Sequence, residues 1–184
     1  MGKVEIYEKL YKPGLWFVCS EHPASELIQY VYDFAVELGV PVVVYSDIPQ
    51  KEIQNSVIDM IKAQCLVNAE NESEREWLEQ EMTEYNTHGF FWYPEELNDF
   101  IPNGFFWTNY VFFDEFKILS FTNSFSHLYL IDNLSELCFD NGNDFSQALP
   151  SIEREAVEYN KTIIVFMSFN DSYKNESYIK NHLL

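Results

Sequence analysis

The first 65 residues alternate between short continuous apolar runs and longer stretches in which apolar residues recur every third or fourth position. Leu15 to Cys19 is such a run, entered through Pro13-Gly14 and left through Ser20-Glu21-His22, and it reads as a buried strand. Pro23 suits a first helical turn, and Leu27, Ile28, Val31, Phe34, Ala35 and Leu38 follow at helical spacing up to a stop at Gly39. The β-branched run Val42-Val43-Val44-Tyr45 predicts a second strand ending at Ser46-Asp47. A second helix starts near Pro49, with Ile53, Val57, Met60, Ile61 and Gln64 on one stripe. A strand-helix-strand unit of this length closes with parallel strands, and Cys65-Leu66-Val67 is expected to add a third short one.

The pattern changes at Asn68-Ala69-Glu70. Ser73-x-x-Glu76 has the form of a capping box, followed by Trp77, Leu78, Met82 and Tyr85 as a narrow apolar stripe on an acidic helix that ends near Gly89. Pro94 and Pro102 bracket a short helix, and Gly89-Phe90-Phe91-Trp92 is echoed by Gly104-Phe105-Phe106-Trp107. Phe105 to Phe113, Lys117 to Thr122 and Ser126 to Ile131 read as an aromatic antiparallel meander, and Asn141-Gly142 as a turn or hairpin tip. Leu149-Pro150-Ser151 opens a last helix with Ile152, Ala156, Val157 and Tyr159 as its buried stripe. Thr162 to Phe169 is a strongly apolar strand that returns to the N-terminal sheet. The tail has Tyr178, Ile179, Leu183 and Leu184 as its anchors. The fold expected is α/β with a mixed sheet: an N-terminal strand-helix-strand-helix unit and a C-terminal helix-strand in one sheet, forming a single domain over 1–184. Residues 68–148 form an inserted subdomain holding the central acidic helix and the aromatic meander.

Composition narrows the partners. Eleven basic against 30 acidic side chains give a formal charge of -19. That balance argues against a direct nucleic-acid footprint or an anionic membrane surface and makes a basic protein the natural complement. Ten of the 30 acids lie between Glu70 and Asp99, opposed there only by Arg75. Cys19, Cys65 and Cys138 are odd in number and sit among apolar residues, as free thiols do in a reducing compartment. With no apolar signal core after Met1 and no membrane-length run, a cytoplasmic protein is expected.

Candidate chemistry is sparse. Strand ends in a parallel sheet are the default ligand site, and here they carry Glu21, His22, Asp47 and, beyond the last strand, Asp171. Together these would suit general acid/base work, while Ser and Asp in such places also serve as helix caps. Neither strand-to-helix turn holds a glycine-rich phosphate loop. Glu115-x-Lys117 with Asp99 has the residue types of a metal-dependent nuclease, but the charge of the chain would repel DNA. The four histidines show no metal-ligand spacing, and Asp140 to Asp144 lacks the closing Glu of a calcium loop. No metal and no cofactor is expected.

Pro94-Glu95-Glu96-Leu97-x-x-Phe100, followed by Asn103-Gly104, resembles a short segment of SUKH-type immunity proteins. The likeness covers eleven residues, lacks the glycine-rich sequence that follows in that family and does not match the strand-helix-strand start, so the family is not assigned. What the residues favour is a small acidic protein that binds and inhibits a basic protein partner, of immunity or phage counter-defence type. Steering would come from Glu72, Glu74, Glu76, Glu79 and Glu81, and anchoring from Phe91, Trp92 and Trp107. The alternative is a small α/β enzyme using Glu21, His22, Asp47 and Asp171 at the strand ends.

Overall fold

The computed structural model describes residues 12–88, 110–113, 126–132, 145–168 and 176–184, with the side chains of 81–88, 145–147 and 176 left aside. Among the described residues five strands are formed: β1 (Gly14–Ser20), β2 (Val42–Tyr45), β3 (Val111–Phe113), β4 (Leu128–Ile131) and β5 (Thr162–Ser168). They make one sheet in the order β1-β5-β4-β2-β3. Every pairing is parallel, with Phe17, Val165, Ile131 and Tyr45 level with one another across four strands.

The α/β class and the union of both chain ends in one sheet agree with the sequence pattern; the antiparallel meander does not. The runs ending at Phe113 and Ile131 are not neighbours. They flank β2 on opposite sides, each parallel to it. Length and aromatic content identify a strand but carry no information on its direction, which depends on how the chain returns between strands. Within residues 68–148, the described stretches 111–113 and 128–131 supply β3 and β4 of this sheet. Lys117 to Thr122, the Gly-Phe-Phe-Trp echo and the Asn141-Gly142 tip lie outside the described residues.

Side chains alternate cleanly across the sheet. Val42, Val44, Val111, Leu128, Leu130, Ile164 and Phe166 face one layer of helices, built from α1 (Pro23–Val31), its π-helical continuation Tyr32–Glu37, and α2 (Gln50–Asn68). Leu78 of α3 (Glu72–His88) is buried in the same cluster. Leu15, Phe17, Val43, Tyr45, Tyr129, Ile131, Ile163, Val165 and Met167 face the other layer, where α4 (Phe145–Glu158) inserts Ala148, Leu149, Ile152 and Ala156, and α5 (Glu176–Asn181) inserts Ile179. Strands covered on both faces explain the nearly unbroken apolar runs.

Local departures from the sequence reading have local causes. Cys65-Leu66-Val67 is not a strand but the last turn of α2, where Cys65 continues the buried stripe of Ile53, Val57 and Ile61. The capping box of α3 sits two residues earlier than Ser73: Asn71 Oδ1 accepts from the Glu74 N–H (3.0 Å), and Glu74 Oε2 turns back to the Glu70 N–H (2.6 Å). Helix α4 begins before Pro150, which lies inside it, and its stripe stops at Ala156, since Val157 and Tyr159 are about half exposed. Asn160, at φ 55°, closes that helix as a Schellman turn, with its own N–H bonded to the Val157 carbonyl and the Lys161 N–H to that of Ala156. Within the π segment Leu38 N–H reaches the Asp33 carbonyl, and burial, with help from Glu37, pushes the Tyr32 phenol up to about 12. No helix among the described residues is long and apolar enough to cross a membrane.

Candidate functional site

In an open parallel sheet, a crevice opens where adjacent strands send their following helices to opposite faces. Strand β2 leads to α2 on one face, and β4, its neighbour, leads toward α4 on the other. Their C-terminal ends bring Ser46 and Asp47 against Asp132. The Ser46 hydroxyl donates to Asp132 Oδ2 at 2.5 Å, and the Asp47 N–H donates to Oδ1 at 3.2 Å. Ser46 Oγ also accepts the Ile48 N–H (3.0 Å), and the Asp132 N–H reaches the Tyr45 carbonyl (3.3 Å). Burial raises the Asp132 carboxyl above its ordinary value, with the nearby Asp47 charge adding to the rise, while the hydrogen bonds from Ser46 and Asp47 pull the other way.

A serine paired with a carboxylate can hold two loops in register or orient a polar ligand. Nucleophilic catalysis would further need a base matched to the hydroxyl, and no imidazole is among the hydrogen-bond partners described for Ser46 or Asp132. Because the folded pKa of Asp132 is raised, the native state holds more protons than the unfolded one from the ordinary aspartate range upward. Its contribution therefore falls as pH rises through that window. Asp132→Asn keeps an oxygen acceptor and removes the charge. Its stability relative to wild type is expected to fall as pH drops from 7.5 to 4, as read from paired urea titrations.

The neighbours β1 and β5 are likewise followed by helices packed on opposite faces, α1 on one and α5 on the other. Ser20 and Ser168 are level there. Ser20 Oγ accepts the His22 N–H at 3.1 Å, and His22 precedes Pro23, the first residue of α1. Glu21 and His22 are exposed. This is the junction at which a phosphate loop would present glycine backbone and a lysine; here it presents an exposed carboxylate.

Glu21 and His22 follow β1, whereas Asp47 follows β2, with β5 and β4 between them. Three strand spacings make that roughly 14 Å. Asp171 lies outside the described residues, and so do Phe91, Trp92 and Trp107. On α3, Glu72, Glu76 and Glu79 are exposed, while Glu74 is drawn down by its bond to Glu70. Glu81 is in the helix, its side chain not described. Arg75 pairs with Glu79 at 3.8 Å, an exposed contact of little energetic weight. Trp77 is 37% exposed beside these acids. Among the described residues no group of three or more His, Cys, Asp or Glu is placed to hold a metal.

Ser46 and Asp132 are the residues that the sequence pattern did not bring together. Asp132 ends an apolar run as Asp47 does, and that was the available signal; an antiparallel β4 would have put it at the opposite end of the sheet. No protein-family model matches the chain, and no curated protein matches it either.

Proposed function

We propose that this chain is a small acidic protein that binds and inhibits a basic protein partner, of immunity or phage counter-defence type, through α3. The observation that carries the reading is the exposed ridge of Glu72, Glu76 and Glu79 on a helix anchored by the buried Leu78, with Trp77 of the same helix 37% exposed. Clustered carboxylates on a helix accelerate encounter with a basic surface, and a partly exposed tryptophan supplies contact area once docking occurs. The Glu21 carboxylate at the first strand-to-helix junction and the strand separation of His22 from Asp47 favour binding over catalysis.

The test is kinetic. Glu72, Glu76, Glu79 and Glu81 are changed together to lysine, and association with the basic partner is followed at low and high salt. The low-salt association rate should drop about tenfold, with a flatter dependence on ionic strength. An unchanged rate and slope in the lysine variant would sink the proposal.

A further inference from the structure

Residues 182–184 lie along β1. Phe17 donates its N–H to the His182 carbonyl (2.9 Å) and accepts the Leu184 N–H (3.0 Å), so Leu183 forms a one-residue parallel bridge to the strand. Ile179 of α5 is buried against the same sheet and fixes that helix in place. Beside the bridge, α4 and α5 share a polar cluster. Tyr178 Oη donates to Glu153 Oε2 at 2.5 Å, His182 Nε2 lies 3.0 Å from Glu153 Oε1, and His182 Nδ1 lies 2.7 Å from the Tyr178 carbonyl.

The acceptors in this cluster outnumber its donors unless it holds an extra proton. A carbonyl oxygen only accepts, so Nδ1 carries a hydrogen. The contact between Nε2 and Oε1 needs another, on the imidazole or on the carboxyl, because without it a ring lone pair would face a carboxylate oxygen. Tyr178 cannot supply it: its hydroxyl is committed to Oε2, and burial together with Glu153 pushes the phenol well above its ordinary value. The pair therefore holds one proton more than a carboxylate beside a neutral imidazole. The imidazole also stacks on the Tyr178 ring with centroids 4.3 Å apart and meets Trp16 of β1 edge-on at 6.5 Å. Lys12 before β1, Arg154 and Glu155 on α4 and Lys180 on α5 are exposed, and Arg154 bonds to Ser151 Oγ. Solvent reaches both members of the pair, with side chains 21% exposed at His182 and 33% at Glu153, so the proton can exchange without unfolding.

We infer that residues 182–184 form a proton-gated closure on β1: the proton shared by His182 and Glu153 holds the bridge to Phe17, and its loss releases the bridge. Ile179 stays buried in both states, and the motion is confined to the residues beyond α5. The sign follows from the proton count. Above the ordinary histidine range the released pair holds no proton that the closed pair needs, so closure is full between the ordinary carboxylate and histidine ranges and weakens as pH rises past the latter.

Amide hydrogen exchange by NMR on the full chain, corrected for the free-peptide rate at each pH, tests the gate. Between about pH 5.5 and about pH 8.5 protection of the Phe17 amide should fall about tenfold, and that of Val165 inside the sheet much less. Glu153→Gln offers an amide oxygen to Tyr178 and an amide N–H to the lone pair of a neutral His182, so its Phe17 protection should stay high across the same range. His182→Ala should show low protection at both pH values. Wild-type Phe17 protection that is constant with pH overturns the gate, as does an equal fall in Glu153→Gln, a matching fall at Val165, or full protection at the lower pH in His182→Ala.

Discussion

Replacing Phe166 with alanine should cost the fold about 3–5 kcal/mol, a large share of the total stability of a domain this size. Phe166 is fully buried on β5, level with Val18 of β1, and its ring meets Tyr30 of α1 edge-on with centroids 5.0 Å apart. Truncation would remove the ring from the cluster that joins the sheet to α1 and α2, leaving a cavity between layers that cannot both collapse. Phe112→Ala makes the contrast. That ring is 39% exposed on β3, a three-residue strand that is last in the order of the described strands, and its loss should cost about 1 kcal/mol. Urea denaturation of the three proteins checks the pair. Similar midpoints for both variants would mean that the layers are not packed through Phe166.

The hydrophobic pattern located β1, α1, β2, α2, α4 and β5 well because each carries its own periodicity, and that periodicity is local. Strand direction is not. Leu128 to Ile131 is fully buried whichever way it runs, so its residues could not disclose that it lies parallel to β2 and β5. The site inherited that blindness. Asp47 was visible as a polar strand end, but its partner Asp132 becomes visible only once β4 is known to point the same way. Conversely, Glu21 and His22 looked like neighbours of Asp47 because β1 and β2 are consecutive in the chain, whereas β5 and β4 are inserted between them. The acidic helix was legible because charge on an exposed face is a property of the residues themselves. The capping residue moved from Ser73 to Asn71 because both can accept a backbone N–H, and the choice rests on where the preceding chain leaves α2.

Lys161 shows how a residue with no motif can hold several elements together, and Lys161→Ala should lower stability by about 2–3 kcal/mol. Its N–H closes α4 on the Ala156 carbonyl, its carbonyl accepts the Gly14 N–H of β1, and its Nζ donates to the Ser126 carbonyl (2.7 Å) just before β4. It is only 3% exposed, with Nζ 6.0 Å from the centre of the Tyr129 ring. The backbone bonds survive substitution, so the loss comes from the buried stem and from a Ser126 carbonyl deprived of its ammonium donor. Lys161→Met keeps most of the stem and should cost about 1 kcal/mol, which separates the two causes. Burial also lowers the pKa of the amine. Between that lowered value and the ordinary lysine range the folded state binds fewer protons than the unfolded one, so wild-type stability gains on Lys161→Ala as pH rises into the ordinary lysine range. Chemical denaturation of both proteins across that range measures the gap. A gap that stays constant or narrows would place the ammonium in water instead of between β4 and β5.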